Sequence, residues 1–242
     1  MNKGILYLIP THLGIPDSMT AEQADQVLPA SVRSCISQID HYIVEQEKTA
    51  RRFIKLMIPE KPQPSLKIEL LNKHTDPSGH RQMLQPCIDG KNVGLMSEAG
   101  CPGIADPGAA IVKLAHEMGI RVVPLVGPSS IVLAMMASGM NGQNFAFVGY
   151  LPIDKNQRKH ALKSLEKLSF ERNQSQIFIE TPYRNNKMTE EIFNTLQPGT
   201  LVCVAADITL PSEFIKTMRV SDWKKQKADL HNRPCIFIVH KY

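Results

Sequence analysis

The sequence has no apolar stretch long enough to cross a bilayer. Its run from Ile120 to Val126 is interrupted by Arg121 and falls far short of the ~20 residues that a spanning helix needs. The opening MNKGILYLIPTHLG does not have the layout of a signal peptide, so the expectation is a soluble, cytoplasmic protein. The five cysteines (Cys35, Cys87, Cys101, Cys203 and Cys235) form no C-x-x-C pair, and their number is odd, which argues against a disulfide framework and for reduced thiols. Eight histidines are present without an H-x-x-x-H spacing, and His74 with His80 is too loose a pair for zinc, so no metal is expected. No G-x-G-x-x-G follows the first apolar run and there is no Walker-type loop, which speaks against nicotinamide, flavin and P-loop nucleotide chemistry. Ser129 is not in a G-x-S-x-G elbow, so it reads as a capping or hydrogen-bonding residue rather than a nucleophile.

What is present is ordinary globular material: 242 residues, 43% hydrophobic and 21% charged, enough for one large domain or two modest ones. Its most informative stretch is VGLMSEAGCPGIADPG, Val93 to Gly108. Val93 to Met96 reads as a buried strand that opens into a glycine-rich turn. Asp106 and Pro107 then stand where an N-cap and a first-turn proline belong, ahead of the periodic AAIVKLAHEMG. In open α/β sheets ligands bind beyond the carboxyl ends of the strands, which makes this turn a candidate site. A second glycine loop, VGPSS around Ser129 and Ser130, joins the strand Arg121 to Val126 to the helical IVLAMMASG, where free backbone N–H groups favour polar or anionic groups. The net charge of +5 is concentrated in Lys48/Arg51/Arg52/Lys55 and Lys155/Arg158/Lys159/Lys163. Each cluster is either a solvated helical face or a surface for phosphate.

Taken in order, Ile5 to Ile9 is a buried strand. The loop THLGIPDSMT follows, with Gly14, Pro16 and Asp17, and Thr20 with Gln23 spells a capping box. Pro29 divides the helical region; Ala30 to Ile36 is its second piece, and His41 to Val44 a strand. Glu47 to Ile58 is an amphipathic helix, Lys67 to Leu71 a strand, and Pro77 to Asp89 helical despite Pro86. Asn144 to Val148 reads as the last strand of the first half and Gly149-Tyr150-Leu151-Pro152 as a hinge. The second half then runs helix (Arg158 to Leu168), strand (Gln176 to Ile179), the ETPYR turn, helix (Asn185 to Leu196), and strands at Leu201 to Ala206, Glu213 to Val220 and Cys235 to Val239. The prediction is α/β, with an N-terminal domain over residues 1–149 and a C-terminal domain over 150–242.

The order LYLIPTHLGIPDSMT, SEAGCPGIADPG, VPLVGPSS, ASG, FVGYLP and ETPYR resembles the tetrapyrrole methylase superfamily, and within it the small-subunit rRNA ribose 2'-O-methyltransferases. The resemblance runs from about residue 5 to about residue 220. It implies two unequal α/β lobes with S-adenosyl-L-methionine in the cleft between them, and a homodimer. Position by position it assigns cofactor contacts to Gly100, Cys101, Pro102, Gly103, Ile104, Ser129 and Ser130, and further contacts to Ile179, Thr181, Ala205, Ala206 and Pro234. Attack by a ribose hydroxyl calls for a base or a nearby cation, and Glu45 and Arg184 are the candidates by residue type and motif position. The rRNA enzymes read A-E-D-T-R and S-D-A-G-T-P where this chain reads Val44-Glu45-Gln46-Glu47-Lys48-Thr49 and Ser97-Glu98-Ala99-Gly100-Cys101-Pro102, the pattern of a divergent member. The readings that remain beside rRNA methylation are methylation of a tetrapyrrole or another small molecule, and a non-catalytic cofactor- or RNA-binding paralogue.

Overall fold

The computed structural model describes residues 2–14, 20–72, 75–226 and 228–242; Pro16, Asp17 and His74, named above, lie outside them. The chain divides into two units, Met1–Ser129 and Ser130–Tyr242.

The first unit holds five strands, β1 (Ile5–Leu8), β2 (His41–Val44), β3 (Lys67–Leu70), β4 (Val93–Met96) and β5 (Arg121–Pro124). They form one parallel sheet in the order β3-β2-β4-β1-β5. Its helices are α1 (Ala21–Asp25), α2 (Ala30–Gln38), α3 (Glu47–Met57), α4 (His80–Met83), α5 (Gln85–Ile88) and α6 (Ala109–Glu117). The capping box forms as the sequence spells it, with the Thr20 hydroxyl accepting from Gln23 N and the Gln23 side chain accepting from Thr20 N. All four residues of β4 are buried, as expected of a strand covered on both faces. One core packs Phe53, Ile54 and Met57 of α3 with Val32 and Ile36 of α2, and another packs Ile111 and Ala115 of α6 with Leu6, Leu84 and Leu95. The stretch Pro77 to Asp89 is not one helix: a 3-10 turn at Pro77–Gly79 is followed by the short α4 and α5. Pro86 has no N–H to carry the helix through and sits in the first turn of α5, where none is needed.

The second unit begins with α7 (Ser130–Ser138), followed by β6 (Phe145–Tyr150), α8 (Lys155–Arg172), β7 (Ser175–Ile179), α9 (Asn185–Thr195), β8 (Leu201–Ala206), β9 (Phe214–Arg219), α10 (Val220–Trp223) and β10 (Cys235–His240). Its sheet runs β6-β7-β10-β8-β9, with β6 and β7 parallel and the other pairs antiparallel. The core centres on Phe178, Phe237 and Trp223; Trp223 stacks on Phe193 at 5.4 Å and donates its indole N–H to Val202 O at 2.9 Å.

Two expectations change here. Asn144 to Val148 is not the last strand of the first half, because β6 pairs with β7 through Phe145–Ser175 and its neighbours. The division of the chain also falls before α7 rather than after Gly149, since Ser138 O of α7 accepts a hydrogen bond from the Thr217 hydroxyl of β9.

Candidate functional site

In the first unit, parallel strands bring the loops after β4, β1 and β5 side by side at the carboxyl ends. Thr11 N donates to Gly100 O at 2.9 Å, Gly100 N donates to His12 O at 3.3 Å, and the Cys101 thiol donates to Pro128 O at 3.4 Å. The Gly100–Ile104 turn is thereby seated between the β1 loop and the Gly127-Pro128 loop. Gly100 and Gly103 adopt φ of +74° and +79°, a region that only glycine enters without cost. A Cβ on Gly100 would also crowd Leu13 at 3.2 Å. Ile104 is exposed, and burial raises the pKa of the Cys101 thiol, which leaves it protonated at neutral pH. Thus Gly100, Cys101, Pro102, Gly103, Ile104 and Ser129 lie in the first unit, the turn itself held against Pro128, and Ser130 opens the second.

Asp106 and Pro107 do not start α6. The helix begins at Ala109 after Gly108, whose φ of +136° makes the entry, and Ser97 donates to the Asp106 side chain instead. Asp106 therefore joins Glu45 and Glu98 in an acidic cluster. Paired residues Val44 and Met96 end β2 and β4 side by side, so Glu45 and the Ser97-Glu98 segment leave the sheet together. The Glu45 carboxylate accepts from Glu98 N, while its Oε2 is buried without a hydrogen-bond partner among the described residues. Burial raises the Glu45 carboxyl above its usual range, with Asp106 and Glu98 adding to the effect; burial likewise raises Asp106, helped by Glu98 and opposed by Ser97. The sequence reading found Glu45 but not its two companions. The position of Glu98 one residue past Ser97 in the motif was the available signal.

Next to the turn, His12 is 1% exposed, its ring set edge-on to Phe53 at 5.3 Å and near the Ala24 backbone. His240 in the second unit is also fully buried, with Nδ1 3.1 Å from the Ser175 hydroxyl and Nε2 unpartnered among the described residues. Burial lowers the pKa of both imidazoles. Below about pH 6.5 an unfolded chain takes up protons that these native residues refuse, so stability falls as pH drops below that point. Urea midpoints are expected to decrease from pH 7.5 to 5.5, with a shallower decrease in His12→Leu; a flat profile in the parent protein would contradict the assignment.

In the second unit, Ile179 of β7 and Ala205 of β8 both pair with Ile236, and Ala206 pairs with Cys235. Together with Pro234, whose carbonyl accepts from Asp207 N at 3.0 Å, they occupy one end of the sheet, and Thr181 lies beyond it, one residue past Glu180. Arg184 is fixed there: it pairs with Glu180 at 3.0 Å and donates Nε to the Thr181 hydroxyl at 2.9 Å. The basic cluster on α8 is partly dismantled. Arg158 is buried against Glu191 rather than presented to solvent, whereas Lys155, Lys159 and Lys163 are exposed. In the other cluster Arg51 pairs with Glu47 at 2.7 Å.

No protein-family model matches the chain. Its sequence is 27% identical over 98% of its length to a Ribosomal RNA small subunit methyltransferase I of Vibrio cholerae, of which it covers 77%. It is 33% identical over 75% of its length to the protein of that name from Bacillus subtilis, of which it covers 56%. Among solved structures it is similar to the methyltransferase CobJ (TM-score 0.64, 14% identity, 98% of this chain and 94% of that one). It is also similar to a uroporphyrin-III-C-methyltransferase from Thermus thermophilus (TM-score 0.53, 16% identity, 98% and 92%). The fold is the one these two methyltransferase structures share, and it extends over 98% of the chain. The protein is a methyltransferase whose sequence relatives are the proteins named Ribosomal RNA small subunit methyltransferase I.

Proposed function

We propose that the protein transfers a methyl group from S-adenosyl-L-methionine to a ribose 2'-hydroxyl of small-subunit ribosomal RNA, in the cytoplasm. The observation that carries this is the relation to rRNA methyltransferases over 98% of the chain. Among the described residues no helix is long and apolar enough to cross a membrane.

The first unit fits the cofactor. Its Gly100–Ile104 turn offers backbone groups for the nucleoside and amino-acid parts, and the carboxylates of Glu45, Glu98 and Asp106 give the strand ends a sign that suits a sulfonium. Ser129 and Ser130 are proposed as further contacts. In the second unit Ile179, Thr181, Ala205, Ala206 and Pro234 carry the same proposal, each to be substituted independently. The cofactor supplies an electrophilic methyl group with its own leaving group, which leaves positioning and proton removal to the protein. Glu45, with its raised pKa and an oxygen unpartnered among the described residues, is the proposed base for the ribose hydroxyl. Arg184, held rigid by Glu180 and Thr181, is proposed to offset developing negative charge.

The test is transfer of labelled methyl from S-adenosyl-L-methionine to undermethylated small ribosomal subunits, with a tetrapyrrole precursor as the parallel acceptor. Label is expected in the RNA. Label in the tetrapyrrole alone overturns the assignment, and calorimetric cofactor binding without any transfer would mark a non-catalytic paralogue. Glu45→Gln is expected to lower kcat by about 10²–10⁴-fold.

A homodimer is part of the same proposal. Edge strand β6 exposes Phe145, Val148 and Tyr150, at 42%, 40% and 60%, an apolar strand edge that a second copy would cover. Sedimentation of the purified protein tests it, and a monomer at micromolar concentration would exclude it.

A further inference from the structure

The second unit contains an open cavity of about 100 Å³ lined by Ile153, Arg158, Glu180, Arg184, Lys187 and Met188. Two of its cations are already matched, Arg158 by Glu191 and Arg184 by Glu180, and Asp154 is used in capping α8 through Asn156 N and Gln157 N. Lys187 at the start of α9 and Lys155 at the start of α8 are exposed and both lower the pKa of the Glu191 carboxyl. Neither makes an ion pair within 4 Å among the described residues. The cavity lining thus carries one ammonium group, Lys187, beside ion-paired walls, and Lys155 stands near the same Glu191 carboxylate just outside the lining. Next to Arg184 in the chain, Tyr183 is 63% exposed and has the Arg184 guanidinium 5.4 Å from its ring centroid.

The cation surplus disfavours a metal ion. An acidic peptide would satisfy the lysines but leave the exposed ring unused. A single nucleic-acid strand uses both features, a phosphodiester on the ammonium groups and a base on the aromatic face. We propose that this cavity is a subsite for single-stranded RNA, with Lys187 and Lys155 binding a backbone phosphate and Tyr183 stacking a neighbouring base. The proposal rests on the RNA-methyltransferase reading and adds to it where on the second unit the acceptor strand is held. Tyr183 would fix the strand against the rigid Arg184, and the lysines would supply most of the salt-sensitive affinity.

The test is fluorescence anisotropy of a labelled single-stranded oligoribonucleotide across a salt series, with calorimetric titration of S-adenosyl-L-methionine on the same preparations. Lys187→Gln is expected to weaken RNA binding and reduce the salt slope by about 0.7. Tyr183→Leu is expected to weaken binding roughly five- to a hundredfold with the slope unchanged. Cofactor affinity stays at the parent value in both. If both variants bind RNA with parental affinity and slope while the parent binds cofactor and RNA, the subsite is wrong and the functional reading stands. If the parent binds no cofactor, the functional reading itself fails. Competition by millimolar inorganic phosphate with no effect of Tyr183→Leu would reduce the cavity to a simple anion site and overturn the RNA assignment. Equal losses on duplex DNA would overturn its single-strand character.

Discussion

Replacing Arg158 with methionine is expected to destabilise the second unit by about 3–5 kcal/mol, the usual cost of stranding one member of a buried ion pair. The guanidinium and its partner Glu191 are 6% and 15% exposed. Two of its nitrogens hold the Glu191 carboxylate, with Nη2 at 2.7 Å from Oε1, and Nη1 donates to Ile153 O at 2.7 Å and Pro152 O at 3.1 Å. One side chain therefore ties α8 to α9 and also closes the loop after β6. Its removal leaves a buried carboxylate and two carbonyls without a donor. The double variant Arg158→Met/Glu191→Met is expected to recover most of the loss, because an apolar pair of similar volume removes the stranded charge. Arg158 also holds the Glu191 carboxyl below its ordinary pKa by direct hydrogen bonding. The stabilisation is thus present above the unfolded carboxyl pKa of about 4.3 and is lost as pH falls through the lower folded value. Urea unfolding of the parent, the single variant and the double variant decides the matter. A single variant within about 1 kcal/mol of the parent, or a double variant as unstable as the single, would show that the pair does not act as described.

The local elements were legible from sequence wherever the signal was itself local. The capping box at Thr20 and Gln23, the Val93–Met96 strand and the face of α3 that buries Phe53 and Ile54 depend on residues a few positions apart. What was hidden depended on partners far along the chain. Phe145–Tyr150 reads as a strand from its own pattern, but only hydrogen bonding to β7 assigns it to the second sheet. Asp106 has the type and position of an N-cap, yet the Ser97 hydroxyl takes its carboxylate and Gly108 makes the helix entry instead. Arg158 stands among solvent-facing lysines in sequence, and nothing there announces Glu191 across thirty-three residues. At the candidate site the glycines of the turn were readable because positive φ demands them. The grouping of Glu45 with Glu98 and Asp106 required knowing that β2 and β4 are neighbours.

Gly127→Ala is expected to damage stability and cofactor binding together, because Gly127 lies where two rigid loops meet. A Cβ there would come within 2.3 Å of both Cβ and Cγ of Pro10. The pyrrolidine ring has no rotamer by which to withdraw, so the backbone must move. Neither side yields easily. Pro10 follows β1, where Ile9 N donates to Leu95 O at 2.9 Å, and Gly127 follows β5, where Leu125 N donates to Leu8 O at 3.0 Å. Overpacking of this kind costs about 1–3 kcal/mol of folding stability. The displaced segment includes Pro128 O, the acceptor for the Cys101 thiol, so the seat of the Gly100–Ile104 turn shifts with it. If that shift costs the bound state a further ~1.4 kcal/mol, cofactor affinity falls tenfold. Gly142→Ala is the control, since no atom lies within 4 Å of its added methyl, and it is expected to behave as the parent in both measurements. Urea unfolding and calorimetric titration with S-adenosyl-L-methionine read the two effects separately. A Gly127→Ala protein that is destabilised but binds cofactor normally would detach the Gly127 loop from the cofactor site and leave the turn after β4 to act without it.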